Sequence, residues 1–261
     1  MSVLSHLTST ASKAVLSSTE NTSIATSIST LQERLKSHFG SDITNHFKFG
    51  SYTRDTILPR KVDEYSDVDY MVVFKDETSK PQTYLDRLKR FVESKYATSE
   101  IFQSSPTIVL NLSHIRFELV PALAQSYGGY KIPGPASGYT DWITTDPTAF
   151  STKLNDANKA HSYEIKPMIR LVKYWNAQAS YVFGSFLLEQ HLVNYAWPQT
   201  NLKDYLYRAF DSLGLQYNEA QWKKDKLERA KTLVNNTRSY ESQDKPIAAE
   251  AEIKRLLPEI T

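Results

Sequence analysis

Apolar residues recur at helical spacing in two stretches of the amino-terminal half. In the first stretch they lie three or four positions apart, at Ile24, Ile28, Leu31, Leu35 and Phe39. In the second stretch they follow Pro81, at Tyr84, Leu85, Leu88, Phe91, Val92 and Tyr96. This period is typical of amphipathic helices, and Gly40 with Ser41 is a common helix end. The pattern predicts two helices here, preceded up to Glu20 by a frayed segment or a loosely amphipathic helix.

Short apolar runs between and after these two stretches are typical of β-strands. They cover residues 46–49, 70–74, 107–112 and 114–120. Pro121 is expected to end the last of these strands. Residues 127–139 contain several glycines and prolines, which indicates a loop and a boundary between two lobes.

The apolar period becomes helical again beyond Trp142 and stays helical to the end of the chain. Asp146 is placed to be an N-cap, with Pro147 as the first helical residue. Further helices are predicted around the apolar stripe that starts at Ile165, over residues 185–195, and at least twice after that.

The order of these elements predicts an α+β fold in which a helical lobe follows a mixed sheet. The predicted amino-terminal part, residues 1–139, holds a helix and the mixed β-sheet. The predicted carboxy-terminal part, residues 140–261, is the helical lobe.

Composition limits the classes of function. A chain of 261 residues can bury a substantial core. The net charge of +2 argues against a protein that binds nucleic acid by bulk electrostatics. The absence of cysteine excludes disulfides, thiolate zinc sites and thiol catalysis. The apolar runs are too short to span a bilayer, and no secretion signal is evident at the amino terminus. We expect a cytoplasmic protein without a membrane partner.

The main candidate chemistry lies in a Gly-Ser turn and two carboxylates that follow it. Asp67 and Asp69 open an apolar run, and alternation along a strand points both side chains to the same side. Two neighbouring carboxylates repel each other, and a divalent cation relieves that repulsion. Gly50 and Ser51 form a turn whose backbone N–H groups offer a place for phosphates. Together these residues suggest an enzyme that handles a nucleoside triphosphate with Mg²⁺, or alternatively Mn²⁺.

A third carboxylate is expected on a neighbouring strand, because two-metal phosphoryl transfer usually needs three acidic ligands. Glu118 fits, because it alternates with the apolar residues Phe117 and Leu119 and faces the other way. The alternative for Glu118 is an exposed position on an edge strand, paired with Arg116.

These residues resemble the polymerase-β-like nucleotidyltransferase superfamily, and within it most closely the bacterial CD-NTases, which are relatives of cyclic GMP–AMP synthase and oligoadenylate synthase. Four segments carry the resemblance, in the expected order: the turn of residues 50–56, the Asp-x-Asp pair, the segment Glu-Leu-Val-Pro-Ala at residues 118–122, and a helical half. The helical half contributes Trp142, Thr-Asp-Pro at residues 145–147, residues 171–176 and residues 185–189.

The resemblance implies a two-lobed nucleotidyltransferase with a mixed-sheet palm and a helical lobe that completes the nucleotide cleft. It implies catalytic and metal-binding roles for Asp67, Asp69 and Glu118. It implies nucleotide-binding roles for the residues Gly50, Ser51, Arg54, Lys173 and Ser185. For Lys173 and Ser185 a solvated helix face and an ordinary N-cap remain the alternatives.

The expected activity is the joining of nucleoside triphosphates, ATP among them, into a cyclic or linear second messenger in antiviral signalling. A regulatory protein partner is also expected. Two other functions stay open. One is transfer of a nucleotide to an RNA, protein or small-molecule acceptor. The other is nucleotide binding without catalysis, which is motivated by Glu118 standing where the family usually has Asp.

Overall fold

The computed structural model describes residues 2–104, 106–134, 141–196 and 198–261. Ten α-helices lie in these ranges. They are α1 (Val3–Lys13), α2 (Ser18–Phe39), α3 (Gly50–Thr53), α4 (Pro81–Lys95), α5 (Pro147–Ala160), α6 (Ile165–Gln178), α7 (Ser185–Asn194), α8 (Leu202–Ser212), α9 (Gln221–Ser242) and α10 (Pro246–Leu256).

Seven strands form one mixed sheet. They are β1 (Ile43–Phe49), β2 (Asp67–Phe74), β3 (Glu100–Ser104), β4 (Thr107–Asn111), β5 (Arg116–Ala124), β6 (Tyr130–Pro133) and β7 (Trp142–Thr145). The order of the main path is β1-β2-β5-β4-β3, while β6 pairs with β5 and β7 pairs with β6. The pair β2–β5 is parallel and the other pairs are antiparallel.

The residues group by their contacts into two compact units. The first, here called the sheet unit, consists of Ser17–Arg60 and Tyr65–Ser151. The second, here called the helical unit, consists of the chain up to Leu16, Lys61–Glu64 and Thr152–Thr261. The dividing point in the sequence falls within α5, whereas the boundary predicted at residues 139 and 140 lies outside the described residues.

The core of the sheet unit forms where α2 and α4 cover one face of the sheet. Both helices were predicted, and their apolar stripes are buried. The ring of Phe74 on β2 lies 5.4 Å from that of Phe39 on α2 and 5.0 Å from that of Tyr84 on α4. Asp67 and Asp69 lie at the start of β2, and their side chains project from the opposite face of the sheet. The two helices therefore do not cover the face of β2 that carries the carboxylates.

Three short features of the sheet differ from the sequence prediction. β5 continues through Pro121, because β4 pairs with β5 only up to Leu119 and β6 pairs only from Leu123. On that side no ladder bond requires the N–H that proline lacks. β6 lies in the predicted loop, and β7 lies where helix was expected after Trp142. Four-residue strands show no clear period, and pairing between them decides their structure.

The helical unit is organised around α6, which is buried along most of its length. The start of α5 still belongs to the sheet unit, and its predicted N-cap is confirmed, because Asp146 Oδ1 accepts hydrogen bonds from the N–H groups of Thr148 and Ala149. Polar contacts join α8 and α9, where Arg238 forms two hydrogen bonds of 2.9 and 2.7 Å with the carboxylate of Asp211.

The amino-terminal helix α1 belongs to the helical unit, whereas the sequence placed it with the sheet. Val3, Leu7 and Ala11 on one face of α1 are buried. The ring of His6 bonds to the carbonyl of Leu257 at 2.8 Å, and Lys13 Nζ donates to the carbonyl of Ile260. Helix α1 is therefore hydrogen-bonded to residues near the carboxy-terminal end of the sequence. No local sequence pattern encodes this contact. No helix in the described ranges has both the length and the hydrophobicity that crossing a membrane would require.

Candidate active site

Three carboxylates lie on one face of two adjacent strands. In the parallel register of β2 and β5, Asp69 is directly opposite Glu118, and Asp67 is opposite Arg116. Paired residues on neighbouring strands lie about 4.8 Å apart and share a face. The structure therefore places Glu118 beside the two aspartates and facing the same way, as the alternation along both strands predicts. The two apolar neighbours of Glu118, Phe117 and Leu119, are fully buried on the other face.

The Gly-Ser turn touches this carboxylate face. Gly50 starts the short helix α3 with a φ of +74°. A Cβ atom at Gly50 would lie 1.7 Å from Asp69 Oδ2 and 2.6 Å from Asp69 Cγ. No side chain fits there, so glycine is required both for the backbone conformation and for the approach of the carboxylate. The carbonyl of Ser51 accepts hydrogen bonds from the N–H groups of Thr56 and Ile57, which closes the turn.

Arg54 is the C-cap residue of α3 and is only 4% exposed. Its guanidinium lies 5.2 Å from the centre of the Phe150 ring. Beside it, burial and the nearby Asp55 carboxylate both raise the pKa of Tyr52, so this phenol stays protonated at neutral pH. Arg54, assigned by resemblance to nucleotide binding, is thus placed as a buried charge next to the Gly-Ser turn.

Both carboxylate oxygens of Glu118 have partners within the sheet. Oε1 accepts a hydrogen bond from Arg116 Nη2 at 2.8 Å, and Oε2 accepts a longer one from Thr107 Oγ1 at 3.4 Å. The ion pair with Arg116 was the alternative considered from the sequence. Asn111 lies opposite Arg116 on the β4 side.

The three carboxylates fit Mg²⁺ in donor type, because magnesium prefers oxygen ligands, and in their common face. The fit is incomplete in the placement of Glu118, whose oxygens are directed to Arg116 and Thr107. Within the described ranges, no three histidine, aspartate or glutamate side chains are arranged to hold a metal ion together.

The two predicted phosphate contacts from the helical half, Lys173 and Ser185, lie in the helical unit. Lys173 is 7% exposed, and its Nζ donates to Glu189 Oε1 on α7 at 3.0 Å. Ser185 is exposed and is the first residue of α7, after the N-cap Gly184. Ser185 is therefore not the N-cap that the alternative proposed. Lys173 is not on a solvated helix face either, since Glu189 is also buried.

Asn176 positions the start of α7. Its Nδ2 donates to the carbonyl of Phe183 at 2.8 Å, and its Oδ1 accepts from the N–H of Phe183 at 3.0 Å. Two residues of the same loop, Ser180 and Tyr181, have positive φ angles. The side chain of Asn176, which is 1% exposed, thus fixes a tightly wound connection between α6 and α7. Asn176 and Glu189 fall within the motif segments 171–176 and 185–189, but the sequence assigns neither a role, because their partners are set by tertiary contacts.

Comparison with known proteins identifies the family. A sequence profile of the Second Messenger Oligonucleotide or Dinucleotide Synthetase domain, SMODS, matches residues 1–158. The chain belongs to the SMODS family. The matched residues include the Gly-Ser turn and the three carboxylates, whereas Lys173 and Ser185 lie beyond them.

Similar proteins agree with this assignment. A cyclic AMP-AMP-AMP synthase from an Acinetobacter species is 26% identical over 156 residues, which are 57% of this chain and 45% of that protein. This SMODS protein spans about half the length of the curated relatives it matches.

Two solved structures share the fold. The CD-NTase CdnG of Bradyrhizobium diazoefficiens, in complex with GTP, has a TM-score of 0.70 at 13% identity. The match covers 96% of this chain and 97% of the CdnG chain. CdnC of Escherichia coli MS115-1, in a complex with HORMA-deltaN, has a TM-score of 0.70 at 14% identity, with 96% of each chain covered. The predicted resemblance to bacterial CD-NTases and the α+β fold are thereby confirmed.

Proposed function

We propose that this SMODS protein is a template-independent nucleotidyltransferase that joins nucleoside triphosphates into a cyclic or linear oligonucleotide and releases pyrophosphate. The observation that carries the proposal is the register of β2 and β5, which sets Glu118 beside Asp69 on the face that also contacts the Gly-Ser turn. The family assignment and the named activity of the Acinetobacter relative support it.

In this proposal Asp67, Asp69 and Glu118 hold Mg²⁺, or Mn²⁺ in its place. The bound cation supplies positive charge next to the phosphates and lowers the pKa of the attacking hydroxyl. Gly50 and Ser51 bind the β- and γ-phosphates through backbone N–H groups and the Ser51 hydroxyl. Glu118 accepts the proton of the attacking ribose hydroxyl at one of its carboxylate oxygens.

Arg54, Lys173 and Ser185 contribute to nucleotide binding in the same proposal. A buried guanidinium next to the Gly-Ser turn adds a permanent positive charge near the phosphates. Ser185 at the start of α7 offers a hydroxyl and the positive end of a helix dipole. The exposure of Ser185 and the fixed loop before it support this role for Ser185.

The product is proposed to act as a second messenger in antiviral defence in the cytoplasm. A regulatory protein partner is proposed by analogy with the solved complex of CdnC with HORMA-deltaN. Nucleoside triphosphates are the proposed substrates, in keeping with the GTP bound to CdnG.

Incubation with the four nucleoside triphosphates and Mg²⁺ tests the proposal. We expect pyrophosphate release and a nuclease-resistant oligonucleotide that mass spectrometry identifies. Asp69→Asn, which removes one carboxylate charge from the proposed cation site, should abolish both. A protein that forms product only after an RNA, protein or small-molecule acceptor is added would instead be a transferase to that acceptor.

A second candidate is a nucleotide-binding protein without catalysis. One observation favours it: both oxygens of Glu118 are already engaged by Arg116 and Thr107. This candidate requires nucleotide binding by calorimetry and no turnover with either Mg²⁺ or Mn²⁺. Turnover that is lost in Glu118→Gln excludes it.

A further inference from the structure

Arg116 is the first residue of the central strand β5 and lies next to two of the three carboxylates, Asp67 and Glu118. On β5 it is opposite Asp67 of β2 on one side and opposite Asn111 of β4 on the other. Glu118 lies two positions further along the same strand and on the same face. The backbone of Arg116 thus lies beside that of Asp67, and its permanent positive charge extends to Glu118 and to Phe102 of β3, on the side of β5 away from β2.

The position of Arg116 is fixed by packing. Its side chain is 16% exposed, and its guanidinium carbon lies 5.6 Å from the centre of the Phe102 ring on β3. Its Nη2 donates to Glu118 at 2.8 Å. Nε is buried without a hydrogen-bond partner among the described residues. A buried guanidinium without hydrogen-bond partners is costly, so the bond to Glu118 is one of the main contacts of the Arg116 guanidinium.

Glu118 is held from two directions. Arg116 donates a hydrogen bond to Oε1, and Thr107, which is 3% exposed on β4, donates one to Oε2. A carboxylate that ligates a cation must direct an oxygen away from such partners, and the guanidinium next to it repels the cation. Binding of a cation by Glu118 therefore competes with the ion pair to Arg116.

We propose that Arg116 is a positioning residue that holds Glu118 when no divalent cation is bound and weakens the affinity of the carboxylate face for the cation. Arg116 supplies the positive charge that stabilises the Glu118 carboxylate in the unloaded site. When the cation binds, Glu118 exchanges Arg116 for the cation. The inference rests on the proposed function in one respect, namely that Asp67, Asp69 and Glu118 are the cation ligands.

Direct titration of Mn²⁺ without nucleotide tests the inference. The electron paramagnetic resonance signal of unbound Mn²⁺ gives the dissociation constant for the full chain. We expect Arg116→Gln to bind Mn²⁺ at least about fivefold more tightly than the wild type, because a neighbouring positive charge is removed. Arg116→Lys keeps the charge and should stay near the wild-type value.

Two further variants separate a local effect from net charge and from misfolding. Arg90→Gln removes the same charge from an exposed position on α4 and should change the constant by less than about twofold. Arg116→Met keeps an apolar stem against Phe102 and is expected to behave as Arg116→Gln does. If Arg116→Gln does not fold, the Mn²⁺ titration of Arg116→Met tests the inference in its place.

The combination with Glu118→Gln gives the decisive comparison. If Arg116 acts through Glu118, the gain from Arg116→Gln should largely disappear in the Glu118→Gln background. Unchanged or weaker Mn²⁺ binding by both neutral Arg116 variants overturns the inference, as does the absence of Mn²⁺ binding by every form of the protein. An equal gain with and without Glu118 also overturns it.

The titration is independent of synthesis. A protein that makes no oligonucleotide but gains Mn²⁺ affinity in Arg116→Gln refutes the proposed function and leaves the role of Arg116 intact. A protein that makes product but shows no such gain refutes the role of Arg116 alone.

Discussion

At the scale of single residues, the contact between Gly50 and Asp69 couples the phosphate-binding turn to the carboxylate face. Gly50 has a positive φ angle, and the space that its Cβ would need is filled by the Asp69 carboxylate. The sequence indicated that a turn stands here, and it indicated two carboxylates further on. It could not indicate that the two touch, because the pairing of Phe49 with Asp69 in β1 and β2 makes the contact.

Gly50→Ala should lower product formation about a hundredfold, because the added methyl group displaces Asp69 from its position. It should also destabilise the fold by roughly 1–3 kcal/mol through the positive φ angle. Pyrophosphate release and urea denaturation measure the two effects.

The matched control is Gly128→Ala. Gly128 also has a positive φ angle, of 93°, but nothing lies within 4 Å of a Cβ at that position. It should therefore lose stability and keep activity. If Gly50→Ala retains full activity, or if Gly128→Ala loses as much, the contact with Asp69 is not what makes glycine necessary.

At the scale of elements, α6 and α7 are joined by a buried ion pair and by a side-chain clamp. Lys173 and Glu189 have side chains 7% and 1% exposed, so neither charge is solvated. Asn176 fixes the connecting loop through Phe183. The geometry of Ser185 at the start of α7 depends on both contacts.

Glu189→Leu should destabilise the protein by about 3–5 kcal/mol, because it leaves the Lys173 ammonium buried without its carboxylate partner. Lys173→Met with Glu189→Leu should recover most of this loss, since an apolar pair has no desolvation cost. Chemical denaturation measures both. As a control, Glu219→Leu removes a partly exposed partner of Lys223 and should cost less than about 1 kcal/mol.

The same double variant separates a structural role of Lys173 from nucleotide binding. If Lys173 binds the triphosphate, the restored protein loses nucleotide affinity in calorimetry. Unchanged affinity would show that Lys173 serves only the packing of α6 against α7. A double variant no more stable than Glu189→Leu would contradict the explanation of the first result.

At the scale of the whole molecule, we expect three histidines to lower stability in acid. Burial is the first cause that depresses the pKa of His38, His46 and His191 below the usual value of 6.5. Neighbouring Lys95 and Arg87 lower the pKa of His38 further, while the hydrogen bond that His191 Nε2 donates to the backbone carbonyl of Ser212 partly offsets the shift of His191. These groups bind protons more readily in the unfolded chain than in the folded one.

The free energy of unfolding should therefore be fully retained above about pH 6.5 and fall as the pH drops through the lowered pKa values. Urea denaturation between about pH 7.5 and about pH 5 measures the slope. His46→Gln, which removes one of these groups from β1, should flatten it, whereas His114→Gln at an exposed position serves as the control. A wild-type protein whose stability rises on acidification would contradict the prediction.

The sequence by itself determined the local elements and the chemical character of the site. The apolar periods of α2, α4 and α6 are strong, because one face of each helix must be buried, and capping residues such as Asp146 mark where helices start. The spacing of Asp67 and Asp69, and the alternation around Glu118, place carboxylates on a strand face without reference to any other element.

The tertiary structure decided everything that depends on residues far apart in the chain. The strands β6 and β7 exist because they pair with partners, and α1 packs with the helical unit because His6 and Lys13 bond to the end of the chain. Register alone put Glu118 opposite Asp69 and Arg116 opposite Asp67. The sequence thus supplied the carboxylates, and strand pairing supplied the neighbours that control them, because hydrogen bonds and ion pairs depend on distance in space.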